Sequence, residues 1–119
     1  MKRILVVDDS VTVRQQVAQT LQQAGYEVVE ATDGVDALTK VDPTIAMAIC
    51  DVNMPRMNGI ELVEKLAQDP TWKLLPIVML TTEGQPQLIQ RARAAGIKGW
   101  IVKPFKPEML VAVVKKMAA

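Results

Sequence analysis

Polar side chains suited to phosphate or metal chemistry follow four of the five short apolar runs in this sequence, each at the point where the run ends. In chain order they are Asp8 and Asp9 after the first run, Asp51 after the third, Thr81 and Thr82 after the fourth, and Lys103 after the fifth. A charge after one run would mean little, because loops are where charges usually lie. Such groups after four runs predict a shared site.

The chemistry of this set can be read from the residue types. Clustered carboxylates repel one another unless a cation offsets their charge. Mg²⁺ does so by taking one or two carboxylates and keeping water or phosphate oxygens as its other ligands. Lys103 adds a positive charge that can reach a phosphate oxygen, and a threonine hydroxyl adds a neutral donor. The set predicts a carboxylate nucleophile that attacks a phosphoryl group, with catalysis mainly by positioning and charge neutralisation.

Each residue also has an ordinary structural interpretation. The two aspartates of the first loop could cap a helix, Asp51 could be a loop carboxylate, and Lys103 could be a solvated lysine. The threonine pair could serve strand-end packing. Because chance would rarely place all four groups correctly, their combination favours the functional interpretation. Cys50 is expected to be a small buried hydrophobe beside the site.

Most of the strand candidates are near-continuous apolar runs, as expected for parallel strands covered on both faces, and they alternate with segments of helical periodicity. The predicted strands are Ile4–Val7, Glu27–Ala31, Ile45–Cys50, Ile77–Leu80 and Gly99–Val102. The alternation predicts an α/β fold with a doubly wound parallel sheet, helices on both faces and right-handed crossovers. Ligands of such sheets bind beyond the carboxyl ends of the strands, where the strand order reverses.

The predicted helices are marked by caps, prolines and glycines. The signals are Val13, Val17 and Leu21 before Gly25; a short helix from Asp36 to Val41; the capping pair Asn58 and Glu61 with the core face Ile60, Val63, Leu66 and Ala67; Pro86 with Gly96; and Pro107 before Leu110, Val113, Val114 and Met117. Trp72, after the third helix, is interpreted as structural.

Composition excludes several classes of protein. The 119 residues fit one domain, and a net charge of +1 favours neither nucleic acid nor an anionic membrane as a partner. The chain contains no histidine, which excludes histidine general bases, the usual zinc sites and a role as phosphohistidine donor. A single cysteine excludes an intrachain disulfide and favours a reducing compartment.

The amino-terminal segment superficially resembles a signal peptide. Its apolar run is too short and stops at Asp8, so a secretory signal is rejected. No stretch approaches the ~20 apolar residues that a membrane helix needs. The sequence therefore predicts a cytoplasmic protein.

At these residues the sequence resembles the response-regulator receiver family over essentially its whole length. The matching stretches are Val6–Ser10, Asp51–Pro55, Met57–Gly59, Met79–Glu83 and Lys103–Phe105. The resemblance implies one receiver domain over residues 1–119, a flavodoxin-like sheet of order 2-1-3-4-5, and a two-component signalling switch. It implies no enzyme beyond the promotion of its own phosphorylation and dephosphorylation.

The resemblance also implies roles for individual residues. Asp51 would accept the phosphoryl group from a phosphohistidine of a sensor histidine kinase. Mg²⁺ would be held by Asp8, Asp9, Asp51 and the backbone carbonyl of Asn53. The phosphoryl oxygens would contact Lys103, Thr81 and the backbone of Thr82. Thr81 and Trp100, which stands where the family carries a switch aromatic, would form the switch, and Asn53 and Glu83 would tune dephosphorylation.

Three further stretches, residues 10–14, 81–83 and 99–105, resemble stand-alone chemotaxis regulators and imply output through binding. The sequence ends soon after the last helix, so we expect no output domain and a monomer whose last two helices and last strand, roughly residues 87–116, bind a protein such as a flagellar motor switch component. Candidate contacts are Arg91, Arg93, Lys98, Lys106 and Glu108.

Several alternatives remain open at this point. The chain could be a phosphorelay shuttle or a receiver cut from a larger regulator. A degenerate receiver that only binds partners is disfavoured, because the acidic set is complete. A phosphatase of the haloacid dehalogenase type would need an acid two residues after its nucleophile, where this sequence has Asn53. A flavin binder is disfavoured because the carboxylates of the first loop would repel a flavin phosphate.

Overall fold

The computed structural model describes residues 2–118 and contains five strands that alternate with five helices. In chain order these are β1 (Arg3–Val7), α1 (Val11–Gln23), β2 (Glu27–Ala31), α2 (Gly34–Lys40), β3 (Ile45–Cys50), α3 (Gly59–Gln68), β4 (Ile77–Thr81), α4 (Pro86–Ala94), β5 (Gly99–Val102) and α5 (Pro107–Met117). The predicted strands agree with these bounds to within one residue. All neighbouring strands are parallel, in the order β2-β1-β3-β4-β5, which confirms the fold class and strand order.

The sheet separates two aliphatic cores, because successive side chains of a strand point to opposite faces. Leu5 and Val7 of β1 enter the first core, with apolar residues of α2, α3 and α4. Ile4 and Val6 enter the second core, with apolar residues of α1 and α5. Every central strand is therefore covered on both faces, which explains why its sequence is a continuous apolar run.

The predicted helix ends are largely confirmed. Asn58 and Glu61 form the reciprocal capping box at the start of α3. Pro86 and Pro107 begin α4 and α5, where a missing N–H costs nothing. Gly25, which follows the end of α1, has a φ angle of +94°, in the left-handed region that glycine reaches without strain.

Two details of the helices differ from the prediction. Helix α2 begins at Gly34 rather than at residue 36, because the Asp33 carboxylate accepts the Asp36 backbone N–H at 2.9 Å and starts the helix earlier. Leu62 of α3 is buried, although the predicted core face omitted it, and Ala67 is only partly buried. Because α3 packs against both α2 and α4, its buried stripe is wider than one row of side chains.

The remaining features of the fold are simple. Trp72 packs against the first core, in agreement with its interpretation as structural. Within residues 2–118, none of the helices combines the length and the apolar character required to cross a bilayer.

Candidate functional site

The three aspartates meet at the carboxyl edge of the sheet because β1 and β3 are neighbours. Val7 pairs with Cys50 in the parallel register, so the next residues, Asp8 and Asp51, leave the two strands side by side. One carboxylate oxygen from each of Asp8, Asp9 and Asp51 lies within 4.8 Å of the others. The first and third loops therefore converge on one acidic cluster.

The cluster is anchored by backbone N–H groups. Asp8 and Asp51 are buried, with 3% and 8% of their surface exposed, whereas Asp9 is exposed. One oxygen of Asp8 accepts the Ser10 N–H at 2.9 Å, and one oxygen of Asp51 accepts the Val52 N–H at 2.7 Å. Each buried carboxylate is thus held by one oxygen and presents the other to its neighbours.

Lys103 supplies the positive charge at the cluster. Its Nζ donates to Asp8 Oδ2 at 2.9 Å and to Asp51 Oδ2 at 3.3 Å. Burial alone would lower the pKa of Lys103, but the hydrogen bond to Asp8 and the charges of both carboxylates outweigh it and raise the pKa above its usual value. The ammonium is therefore charged over the whole physiological range.

Backbone contacts place Lys103 at the cluster. Its N–H donates to the Thr81 carbonyl at 2.8 Å, which links the ends of β5 and β4. The Lys103–Pro104 peptide bond is cis. Because β5 neighbours only β4 in the sheet, Lys103 reaches the cluster from a strand that is not adjacent to β1 or β3.

A network centred on Glu83 joins the other predicted residues. The Glu83 N–H donates to the buried Thr81 hydroxyl oxygen at 3.2 Å, and the Glu83 carbonyl accepts the Trp100 indole N–H at 2.9 Å. The Glu83 carboxylate accepts the Asn53 side-chain N–H at 2.8 Å. Glu83 therefore connects the loop after Asp51, the end of β4 and the aromatic ring of β5.

Thr82 occupies a different environment from Thr81. Its side chain is exposed, whereas Thr81 is fully buried. Thr82 lines a surface groove with Lys103, Phe105 and Val13 of α1. The two threonines thus face the core and the solvent, respectively.

Gly59 and Arg14 shape the cluster but were not predicted as site residues. A Cβ atom at Gly59 would lie 1.9 Å from the Asp51 carbonyl oxygen, so only glycine lets α3 start against the backbone of Asp51. Arg14 of α1 donates to the Asp8 carbonyl at 2.8 Å and pairs with Glu30 at 3.0 Å. The sequence near Arg14 gives no signal of its contact with Asp8. Gly59 belongs to the motif Met57–Gly59, but the motif does not reveal its close contact with Asp51.

Cys50 lies directly beside the cluster. It is fully buried, and its thiol donates to the Asp51 carbonyl at 3.2 Å. Burial, together with the negative charges of Asp51 and Asp8, raises the pKa of Cys50 far above its usual value. The prediction of a small buried hydrophobe is confirmed.

The acidic cluster fits a hard divalent cation. Its donors are carboxylate oxygens, the ligands that Mg²⁺ prefers, and one lysine does not neutralise three carboxylates. An exposed Asp9 leaves the cluster open to solvent, as a partly hydrated cation requires. The geometry thus defines a site that could hold a metal ion beside a buried, oriented carboxylate.

Comparison with known proteins identifies the class to which this doubly wound fold and acidic site belong. The family described as "Response regulator receiver domain" matches residues 4–115. The chain belongs to this family.

Relatives in the family carry chemotaxis names. The chain is 46% identical to "Chemotaxis protein CheY1" of Helicobacter pylori over 111 residues, covering 91% of this chain and 90% of that protein. It is 44% identical to "Chemotaxis protein CheY homolog" of Campylobacter jejuni over 112 residues, covering 91% and 85%. The solved structure of chemotaxis protein CheY4 of Vibrio cholerae is 46% identical, covers 98% of each chain and has a TM-score of 0.91.

Proposed function

We propose that this chain is a phosphorylation-activated switch of a two-component system, with Asp51 as the phosphoacceptor. The observation that carries the proposal is the buried pair of carboxylates, Asp8 and Asp51, which share the Lys103 ammonium at the carboxyl edge of the sheet. The names of the relatives support a role in chemotaxis. We further propose that residues 1–119 form a single receiver domain.

Asp51 acts as the nucleophile. Its Oδ1 is fixed by the Val52 N–H, while Oδ2 faces the Lys103 ammonium. This oxygen attacks the phosphorus of a phosphohistidine on a sensor histidine kinase, and the P–N bond breaks with its electron pair returning to the imidazole. Lys103 then exchanges its contact with Asp51 for a phosphoryl oxygen.

Mg²⁺ would be held by carboxylate and carbonyl oxygens at the same edge of the sheet. Asp8, Asp9, Asp51 and the backbone carbonyl of Asn53 form the proposed Mg²⁺ site. When bound, Mg²⁺ neutralises the charge that develops on the phosphoryl oxygens. The backbone N–H of Thr82 adds a neutral donor to those oxygens.

Thr81 and Trp100 form the proposed switch. The Thr81 hydroxyl leaves the Glu83 N–H and turns to the new phosphoryl group. Because the Glu83 carbonyl holds the Trp100 indole, movement of residues 82–84 changes the environment of the ring. Phosphorylation thereby biases an existing two-state equilibrium. Asn53 and Glu83, which bond to each other, tune dephosphorylation.

Output occurs by binding to a downstream target. The proposed surface is α4, β5 and α5 of a monomer, and the proposed target is a component such as the flagellar motor switch. Among the candidate contacts, Arg93, Lys98, Lys106 and Glu108 are exposed. Arg91 is also exposed but is paired with Glu64 of α3. The cytoplasmic location stays a prediction.

Substitution of the acceptor tests the proposal. Asp51→Asn should abolish incorporation of phosphate from acetyl phosphate or a phosphorylated kinase in the presence of Mg²⁺, measured by intact mass. Asp69→Asn, at the far end of α3, is the matched control and should be labelled like the wild-type protein. Labelling of the Asp51→Asn variant at another residue would refute the acceptor assignment.

A pull-down with beryllofluoride tests the output. We expect the protein treated with Mg²⁺ and beryllofluoride to capture a motor-switch target that untreated protein does not. Transfer of phosphate from the protein to a further histidine, without such capture, would instead identify a phosphorelay shuttle.

A further inference from the structure

An ion pair outside the acidic cluster ties the loop after β3 to the start of α2. Arg56 Nε donates to Asp33 Oδ2 at 2.8 Å, and Arg56 Nη2 donates to Asp33 Oδ1 at 3.1 Å. The Asp33 side chain is only 4% exposed, so the carboxylate that accepts both bonds is held in place by its surroundings. Two parallel bonds from a planar guanidinium restrict orientation as well as distance.

The backbone around this pair is unusually constrained. Arg56 has a φ angle of +63°, which residues other than glycine rarely adopt. Next to it, the Gly34 N–H donates to the Met57 carbonyl at 3.1 Å, and a Cβ at Gly34 would approach that oxygen to 2.8 Å. These tertiary contacts hold Arg56 in a backbone conformation that is unfavourable for it in isolation.

The constrained segment contains the backbone carbonyl assigned to the metal. On one side of Asn53, the Val52 carbonyl accepts the Gly59 N–H at 2.9 Å. On the other side, residues 56 and 57 are held by α2. The intervening residues 53–55 are further held by the Asn53 bond to Glu83 and by Met54, which packs against the first core. The Asp33–Arg56 pair is therefore one of the anchors of this segment, on the carboxyl-terminal side of the Asn53 carbonyl.

We infer that Asp33 and Arg56 are positioning residues of the phosphorylation site, which hold the Asn53 carbonyl where a divalent cation needs it. The inference rests on the proposed function. Neither side chain touches the metal or the phosphoryl group. Without the pair, the carboxylates stay in place, but residues 53–55 are less well ordered before the cation binds. Binding must then order these residues, and this cost lowers the affinity for Mg²⁺.

Titration with MgCl₂ alone tests this role, followed by the amide NMR shifts of residues 52–54. Arg56→Asn keeps a residue type that tolerates positive φ but cannot reach Asp33. Asp33→Asn keeps the cap of α2 but removes the charge. Either change should raise the Mg²⁺ dissociation constant about tenfold. The double variant should bind no more weakly than Arg56→Asn, because the pair is already broken.

Phosphorylation kinetics separate positioning from general damage. At saturating Mg²⁺, the initial rate of labelling by acetyl phosphate should return to near the wild-type rate in both variants. Arg3→Gln removes pairs with Glu27 and Asp42 at the opposite edge of the sheet and is the matched control. It should leave the Mg²⁺ dissociation constant unchanged.

The outcomes distinguish this inference from the proposed function. Wild-type affinity in both variants, or equal weakening by Arg3→Gln, would overturn the positioning role while leaving Asp51 labelling intact. A wild-type protein that is not labelled would overturn the proposed function, and the inference with it. Weakened affinity confined to Arg56→Asn and Asp33→Asn supports the positioning role.

Discussion

The acidic ends of β1 and β3 and the segment after β4 lie at the same edge of the sheet but are held in place by different means. Asp8 and Asp51 are buried at the centre of the sheet, and α3 begins directly against the Asp51 backbone. Helix α3 buries five of its ten residues, whereas α4 buries only Ala92 among nine. The β4–α4 segment, residues 82–94, has fewer apolar contacts, made by Leu88 and Ala92 with the first core, and relies more on polar contacts such as those of Glu83.

This difference matches the two tasks proposed for the edge. Phosphoryl transfer needs groups that are already in position, because reorganisation during the reaction raises its barrier. A switch needs an element whose alternative positions differ little in free energy, and weakly packed segments are the source of such elements. The packing of the first region therefore suits the proposed phosphoryl transfer, and that of the second suits the proposed movement.

The largest effect on stability is expected when the close contact at Gly59 is filled. In Gly59→Ala, the new Cβ would lie 1.9 Å from the Asp51 carbonyl oxygen, and α3 would have to move away from β3. We expect the free energy of unfolding to fall by about 3 kcal/mol, measured by urea denaturation.

Gly84 provides the matched substitution in the movable segment. A Cβ at Gly84 meets no atom within 4 Å, so Gly84→Ala should change the free energy of unfolding by less than about 1 kcal/mol. Equal losses at both glycines would contradict the contrast between the regions.

Removal of the lysine charge should expose the repulsion within the acidic cluster. Lys103→Met leaves Asp8 and Asp51 close together without the ammonium, which should cost about 2 kcal/mol in metal-free buffer. Added Mg²⁺ should raise the melting temperature more in this variant than in the wild-type protein, since no lysine competes for the same oxygens. An equal shift in both proteins would show that the ammonium and the cation do not share ligands.

Loss of the indole donor should loosen the second region alone. Trp100→Phe removes the bond to the Glu83 carbonyl at a cost of about 1 kcal/mol. Hydrogen exchange of the backbone amides at residues 83 and 84 should become faster, while exchange at residues 51 and 52 stays slow. Trp72→Phe is the control, because Trp72 lies beside Pro43, Ile45 and Pro76, at the amino-terminal ends of β3 and β4 and away from this loop.

The smallest effect is expected from the ion pair that braces α4. Arg91 forms two bonds with Glu64 of α3, at 2.7 and 2.9 Å, but both side chains are partly exposed. Arg91→Gln should therefore lower the free energy of unfolding by less than about 1 kcal/mol. If the pair restrains α4, the emission of Trp100 in Arg91→Gln should change at a lower concentration of beryllofluoride than in the wild-type protein. An unchanged midpoint of the beryllofluoride titration would show that the pair takes no part in the switch.

Local patterns in the sequence predicted most of the elements of this fold. Near-continuous apolar runs marked most of the five strands, and the Asn58–Glu61 pair marked the start of α3. The residues of the acidic cluster were predicted because they follow strands whose parallel order brings their ends to one edge. The start of α2 was missed, since the capping role of Asp33 was not recognised.

Contacts between distant segments were decided only by the tertiary structure. The sequence by itself determined the fold class and the candidate chemistry, because periodicity, caps and residue type are local properties. It did not determine that Arg14 holds the Asp8 carbonyl, that Arg56 pairs with Asp33, or that Glu83 joins three segments. Such pairs depend on how helices and loops pack over the sheet, and polar surface residues carry no local signal of the partner that packing brings to them.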